Sequence, residues 1–427
     1  MKKVLLFLLA ILFGIFLLNS FHEQYPDEFD SILGGRYITE GKLPYRDWFQ
    51  HHQPGAYVLA SILLPFSGGS FVRFRVLLGA TFFLLNAGAF LFLRKRFKEH
   101  TKTHFYMAVL FALAIAGTFF WGQMLLADIL AAYLLLPAYT LLLLKTYHDE
   151  RFQKSDLLFV SIFTFFALFT SMTYVYVVAG LAIYTIFLFL KDNRTARRVS
   201  WKNIGFAIAS FGLPYVFFFL YLFVTGSLKD YYFSTVIYNQ FYIYNYPHVP
   251  GTPINPIRYG VVIANAFFNN FYPALAGVVS FPFGDPLQVT LALSNVGLLA
   301  VLLLKRKYAF IFPFLITLVF ATARSNPQQV KETDYQAAVY MLTSMAAGLF
   351  SLSALREIVD KEKAVVSHRV IAGALLLVLG VYWFFTFFYL SLKMGQKFYP
   401  KYMGDAPYIY DDPQIAPYIN KITTPDD

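Results

Sequence analysis

Apolar residues recur along this chain in runs long enough to cross a bilayer as helices, which takes about 20 residues each, fewer where a span is short or tilted. The runs fall at 4–20, 72–93, 105–121, 126–144, 157–171, 173–190, 203–224, 287–304, 308–323, 335–354 and 369–391, eleven in all. Short polar connections separate most of them. Two stretches between runs are longer, 21–71 and 225–286, and a polar tail follows at 392–427. Within the second stretch, 259–283 is apolar but broken by Asn265, Asn269, Asn270, Pro273 and Pro282, which reads as an interfacial or re-entrant segment. The pattern predicts an all-α polytopic membrane protein. It is one transmembrane domain over 1–391, with loops folded onto it.

Composition agrees. The chain is 58% hydrophobic and 14% charged, against about 25% charged for a soluble domain. The net charge of +11 reflects topology, not nucleic-acid binding. Twenty-two of the 35 Lys and Arg lie in 1–3, 94–104, 145–156, 191–202, 305–307 and 355–369, whereas 225–286 holds only Lys229 and Arg258. The positive-inside rule then puts the N-terminus in the cytoplasm and the two long stretches outside. Met1-Lys2-Lys3 before an apolar run resembles a signal peptide, but no clean small-x-small site follows, so the run is read as a retained span. The absence of cysteine removes disulfides, Cys-based metal sites and a Cys nucleophile.

Candidate chemistry collects in the first long stretch. Asp27, Glu28 and Asp30 fall within four residues of one another, and Glu40, Asp47 and the pair His51-His52 follow. A carboxylate can accept a proton from a hydroxyl, and carboxylate with imidazole can hold a divalent cation. Pro26-Asp27-Glu28 is equally a good helix start, since the macrodipole favours acids in a first turn. Phe29, Ile32, Leu33, Tyr37 and Ile38 recur at helical spacing, and 56–66 is an apolar helix too short to span. Two helices lying on the membrane surface are therefore expected in this loop. Asp128, at the mouth of the span 126–144, is a functional candidate, because an acid inside a span costs up to about 2.5–3.5 kcal/mol. The Tyr-dense segment 227–250 suits sugar contact and, more simply, a membrane interface.

Asp27-Glu28 beyond the first span, Gly41 to Asp47 (GKLPYRD), His52-x-Pro54 before a short apolar helix, and Arg73 opening the next span together resemble the GT-C superfold of glycosyltransferases. The protein O-mannosyltransferase and aminoarabinose transferase families, which use polyprenyl-phosphate sugars, are the nearest in pattern. The resemblance covers about 20–190, and more loosely 308–354.

That resemblance implies inverting transfer of one sugar from a polyprenyl-phosphate donor to a hydroxyl of a glycan, lipid or protein acceptor at the outer face of a membrane, a bacterial inner membrane best fitting the chain. It assigns the base to Asp27, with Glu28 as alternative, and donor phosphate contacts to Arg73, Lys331, Arg324 and Tyr335. Tyr45 and Asp47 become contacts to acceptor or sugar. A divalent metal ion as Lewis acid would be held by Asp128 and His52, though some members of the superfold work without one. Family members often carry a Lys in the outer turn between the fifth and sixth spans, but here Thr170 to Tyr174 has none. Two readings of another class stand beside this one, a transporter or flippase for lipid-linked glycans and a non-catalytic subunit of envelope assembly. A transporter should carry ionisable residues deep within several spans.

Overall fold

The computed structural model describes residues 26–116, 122–194, 200–243, 278–308, 335–360 and 365–397, with isolated residues 14, 20, 311 and 318. The expected spans 4–20 and 308–323 lie almost entirely outside the described residues, as do most of 259–283 and of the tail.

Among the described residues the fold is all helical, with one isolated bridge between Pro44 and Trp48. The helices are α1 (Pro26–Thr39), α2 (Gly55–Ser67), α3 (Phe71–Arg96), α4 (Thr101–Ala116), α5 (Ala127–His148), α6 (Lys154–Thr170), α7 (Val175–Asp192), α8 (Trp201–Val224), α9 (Leu228–Tyr232, continuing as a π-helix over Phe233–Ile243), α10 (Pro286–Leu304), α11 (Ala338–Asp360) and α12 (Val366–Lys397). Seven helical segments are long and apolar enough to cross a membrane. They correspond to seven of the eleven expected runs. The expected spans 105–121 and 157–171 appear as helices of 16 and 17 described residues. At 1.5 Å per residue the longer reaches roughly 26 Å, short of the ~30 Å hydrocarbon core.

Local sequence sets the helix ends. Ser70 caps α3 by accepting from the Arg73 amide, and Asp285 caps α10 by accepting from Leu287 and Gln288. Gly68 closes α2 in the left-handed region at φ 58°. Gln153 and Asp156 form a reciprocal capping box on α6.

Packing centres on α5 and α11, whose apolar stretches are almost wholly buried. By contrast α8 and α12 leave most of their apolar surface outward, as lipid-facing spans do. Small residues let the inner helices approach: a Cβ on Gly348 of α11 would collide with Ser294 of α10 and Trp383 of α12. The bundle has two ends, and α10 and α11 run in the same direction between them, with Ser294 beside Gly348 and Gly297 beside Ser351. One end carries the loop formed by α1 and α2, and the other gathers the basic connections. At the basic end Asp156 takes both Lys145 at 2.8 Å and Arg96 at 3.0 Å, tying α3, α5 and α6 together.

At the loop end α1 crosses α2 at a glycine pair. A Cβ on Gly34 would strike the Tyr57 ring, and one on Gly35 would lie 2.8 Å from the Ser61 amide nitrogen and closer still to Ala60. The pair is a contact surface that the helical periodicity of 26–39 did not reveal. Gly35→Val should overpack this crossing and lower stability by about 1–3 kcal/mol. Gly88→Ala, at a position with nothing within 4 Å of the added carbon, should leave stability equal or slightly raised. Thermal unfolding of both variants in one detergent makes the comparison.

Candidate functional site

The first turn of α1 sends its acids in different directions, because successive residues are about 100° apart on a helix. Glu28 points inward and is fully buried. Its carboxylate takes Arg75 Nη2 at 2.5 Å and Arg75 Nε at 3.2 Å, and accepts the Leu125 amide at 3.1 Å. Arg75, equally buried, lies over the Phe71 ring at 4.3 Å. Glu28 therefore joins α1 to α3 and to the turn before α5. A carboxylate so enclosed has no open lone pair facing solvent, which sets it apart from the base expected as an alternative to Asp27.

Asp27 sits on the exposed rim. The Tyr335 hydroxyl donates to its Oδ2 at 2.6 Å, linking α1 to the entry of α11 across 308 residues of chain. Tyr335, expected at the donor phosphate, thus meets the candidate base. Asp30, three residues on and on the same side of the helix, accepts from the Tyr57 hydroxyl at 2.8 Å and from Gln50 Nε2 at 3.3 Å. The Gln50 Oε1 accepts the amides of His51 at 2.8 Å and His52 at 3.1 Å. Asp30 thereby fixes the His51-His52 turn through one buried glutamine. Burial, with the Asp30 carboxylate beside it, pushes the Tyr57 phenol well above its ordinary pKa, so it stays a proton donor.

The other expected site residues are dispersed. Asp47 closes the turn that starts at Leu43: its Oδ2 accepts the Leu43 amide at 2.7 Å, and Oδ1 pairs with Arg46 at 2.8 Å. Those two partners, Arg46 first, hold its carboxyl below the usual range. Tyr45 is buried in a left-handed backbone conformation, φ 71°, with its ring edge-on to Tyr231 at 5.0 Å and its hydroxyl on the His52 carbonyl at 2.9 Å. Both act here in shaping the loop. Arg73 is exposed at the start of α3. Arg324 and Lys331 lie outside the described residues.

Asp128 is buried in the first turn of α5 and accepts from the Tyr174 hydroxyl at 2.7 Å. Tyr174 comes from the turn between α6 and α7, where the expected Lys is absent, and brings that turn to Asp128. The His52 ring lies against that of His51, tilted by 40° with the centroids 3.9 Å apart. Among the described residues no three His, Asp or Glu side chains converge as metal ligands.

No protein-family model matches this chain, and no curated protein or solved structure matches it at a significant level. The site's character rests on its own geometry.

Arg75 and Tyr174 were not singled out from sequence. Phe71, Phe74, Arg75 and Leu78 occupy i, i+3, i+4 and i+7 positions, so Arg75 falls on the buried face of α3 while Arg73 falls off it. That register is a signal the sequence carries. It leaves open which acid answers the arginine. Arg75→Met should cost about 3–5 kcal/mol by leaving Glu28 buried and unpaired. Glu28→Leu combined with Arg75→Met should recover most of that loss. Melting temperatures of the single and double variants form the test.

Proposed function

We propose that this chain is an inverting glycosyltransferase that takes a sugar from a polyprenyl-phosphate donor, with the loop end of the bundle at the extracytoplasmic face. The observation that carries the reading is the Asp27–Tyr335 pair: an exposed carboxylate, held by a phenol at 2.6 Å, on the rim of an otherwise apolar helical bundle. A lipid-borne donor and a polar acceptor meet at such a rim.

In this mechanism Tyr335 occupies Oδ2 of Asp27 and leaves Oδ1 to receive the proton of an acceptor hydroxyl. The acceptor oxygen attacks the anomeric carbon as the bond from that carbon to the phosphate oxygen breaks. The electron pair leaves with polyprenyl phosphate, and the anomeric centre inverts. Arg73, exposed at the start of α3, would pair with the departing phosphate. Glu28 holds α1 in place and takes no proton.

The distribution of charge favours this reading over transport. In the seven candidate spans every charged residue lies near a helix end: Arg73, Arg75, Arg94, Lys95 and Arg96 in α3, Asp128 and Lys145 in α5, and none along α10. A carrier with a midplane site would place them deeper.

The purified protein in lipid, given a panel of polyprenyl-phosphate sugars and cell-envelope extract, should release free polyprenyl phosphate. Asp27→Asn should cut that release by about 10²–10⁴-fold with an unchanged melting temperature. Equal release by both proteins would remove Asp27 from the role.

A further inference from the structure

Beside the acid cluster, Phe49, His51 and Tyr238 pack into one aromatic platform. Phe49 meets Tyr238 edge-on at 4.9 Å, His51 lies 5.6 Å from Tyr238, and Phe49 and His51 are near parallel at 6.4 Å. Two distant parts of the chain build it. Phe49 and His51 come from the first loop, and Tyr238 from the π-helical continuation of α9, a rare conformation that recurs at functional sites. Phe49 is 52% exposed, so part of its ring is open to a ligand.

Polar groups flank the platform. Gln50, between Phe49 and His51, carries Asp30 on its amide, and Asp30 shares a helix face with Asp27. Gln50 is buried with both ends of its amide engaged, so Asp30, exposed, is the polar edge; an aromatic face bordered by a carboxylate fits a pyranose, whose C–H face stacks on the ring while a hydroxyl is hydrogen-bonded at the edge. A membrane-dipping patch has a different character, with Lys and Arg around its aromatics. Glu40, Arg36 and Lys42 pair with one another elsewhere on the loop, and Asp30 is a charge tied to this edge through Gln50.

We propose that the Phe49–His51–Tyr238 platform, bordered by Asp30 and Gln50, is a carbohydrate subsite that seats a sugar ring of the acceptor and leads its hydroxyl to Asp27. The acceptor is accordingly a glycan or a glycan-bearing molecule. The assignment rests on the glycosyltransferase reading, and its test needs no turnover.

The full chain in nanodiscs, without donor, is titrated with fluorophore-labelled hexasaccharides of the glucose, mannose and N-acetylglucosamine series. The wild type should bind at least one. Phe49→Ala and Tyr238→Ala should each weaken binding about tenfold, and Phe49→Trp should retain it, with melting temperatures showing that all three variants are folded. The indole added by Phe49→Trp, read as the difference in emission between that variant and the wild type, should shift when unlabelled saccharide is added. Wild type that binds none of the three series, or alanine variants that bind as wild type does, overturns the proposal. Emission of that added indole quenched by brominated lipid and unmoved by saccharide overturns it in favour of a membrane contact. Release of polyprenyl phosphate is followed separately. Saccharide binding without release keeps the platform and removes the transferase, and release without saccharide binding does the reverse.

Discussion

Glu28 and Arg75 are both fully buried, and the rest of the loop end is arranged around their contact. Taking two charges out of water costs several kcal/mol per ion, which their attraction repays only with good geometry and no orphaned lone pairs. Here the guanidinium meets the carboxylate through two nitrogens, the Leu125 amide fills a further site, and the Phe71 ring covers the guanidinium face. An apolar replacement of the pair could be as stable. What the pair adds is register: with Glu28 turned inward, the helix geometry turns Asp27 and Asp30 to the rim, where Tyr335 and Tyr57 meet them.

The two ends of the bundle solve a common problem differently. At the basic end Asp156 answers Lys145 and Arg96 within one compact knot that also caps α6, and this knot joins neighbouring spans. At the loop end the polar contacts between elements include Asp27 with Tyr335, Asp128 with Tyr174, and Gln53 with Tyr231 at 3.2 Å, and the basic end carries a contact of the same kind, the Tyr147 hydroxyl donating to Glu357 at 3.0 Å. In each of these the acid or amide is met by a tyrosine hydroxyl. A phenol can pin a carboxylate without neutralising it, which leaves the carboxylate charge available to a ligand.

Much of this was legible in the chain. The long apolar runs gave seven helices of spanning length in their expected places, and Asp27, Glu28 and Asp128 stood out because acids are rare beside such runs. Their separate fates were not legible. Asp27 and Glu28 are adjacent and chemically alike, and only the packing of α1 against α3 decides which is buried. Gly34 and Gly35 look like helix weaknesses until Tyr57 and Ala60 are seen against them. Tyr45 and Asp47 belong to a motif that suggests ligand contacts, yet their partners are Tyr231, His52, Leu43 and Arg46, residues of the protein itself. Contacts between residues hundreds of positions apart leave no periodic trace.

The role proposed for the loop end turns on Asp27 and Tyr335 meeting at a mouth that opens to the outer side. The chain contains no cysteine, so Asp27→Cys and Tyr335→Cys can be introduced together with no native cysteine to remove. The double variant, carrying a protease site between the two positions, is treated in right-side-out vesicles with a membrane-impermeant bifunctional thiosulfonate, then cleaved. Fragments that stay joined until a reductant is added are the predicted result. Fragments that separate, or that join only after the vesicles are opened, would contradict the contact or its sidedness.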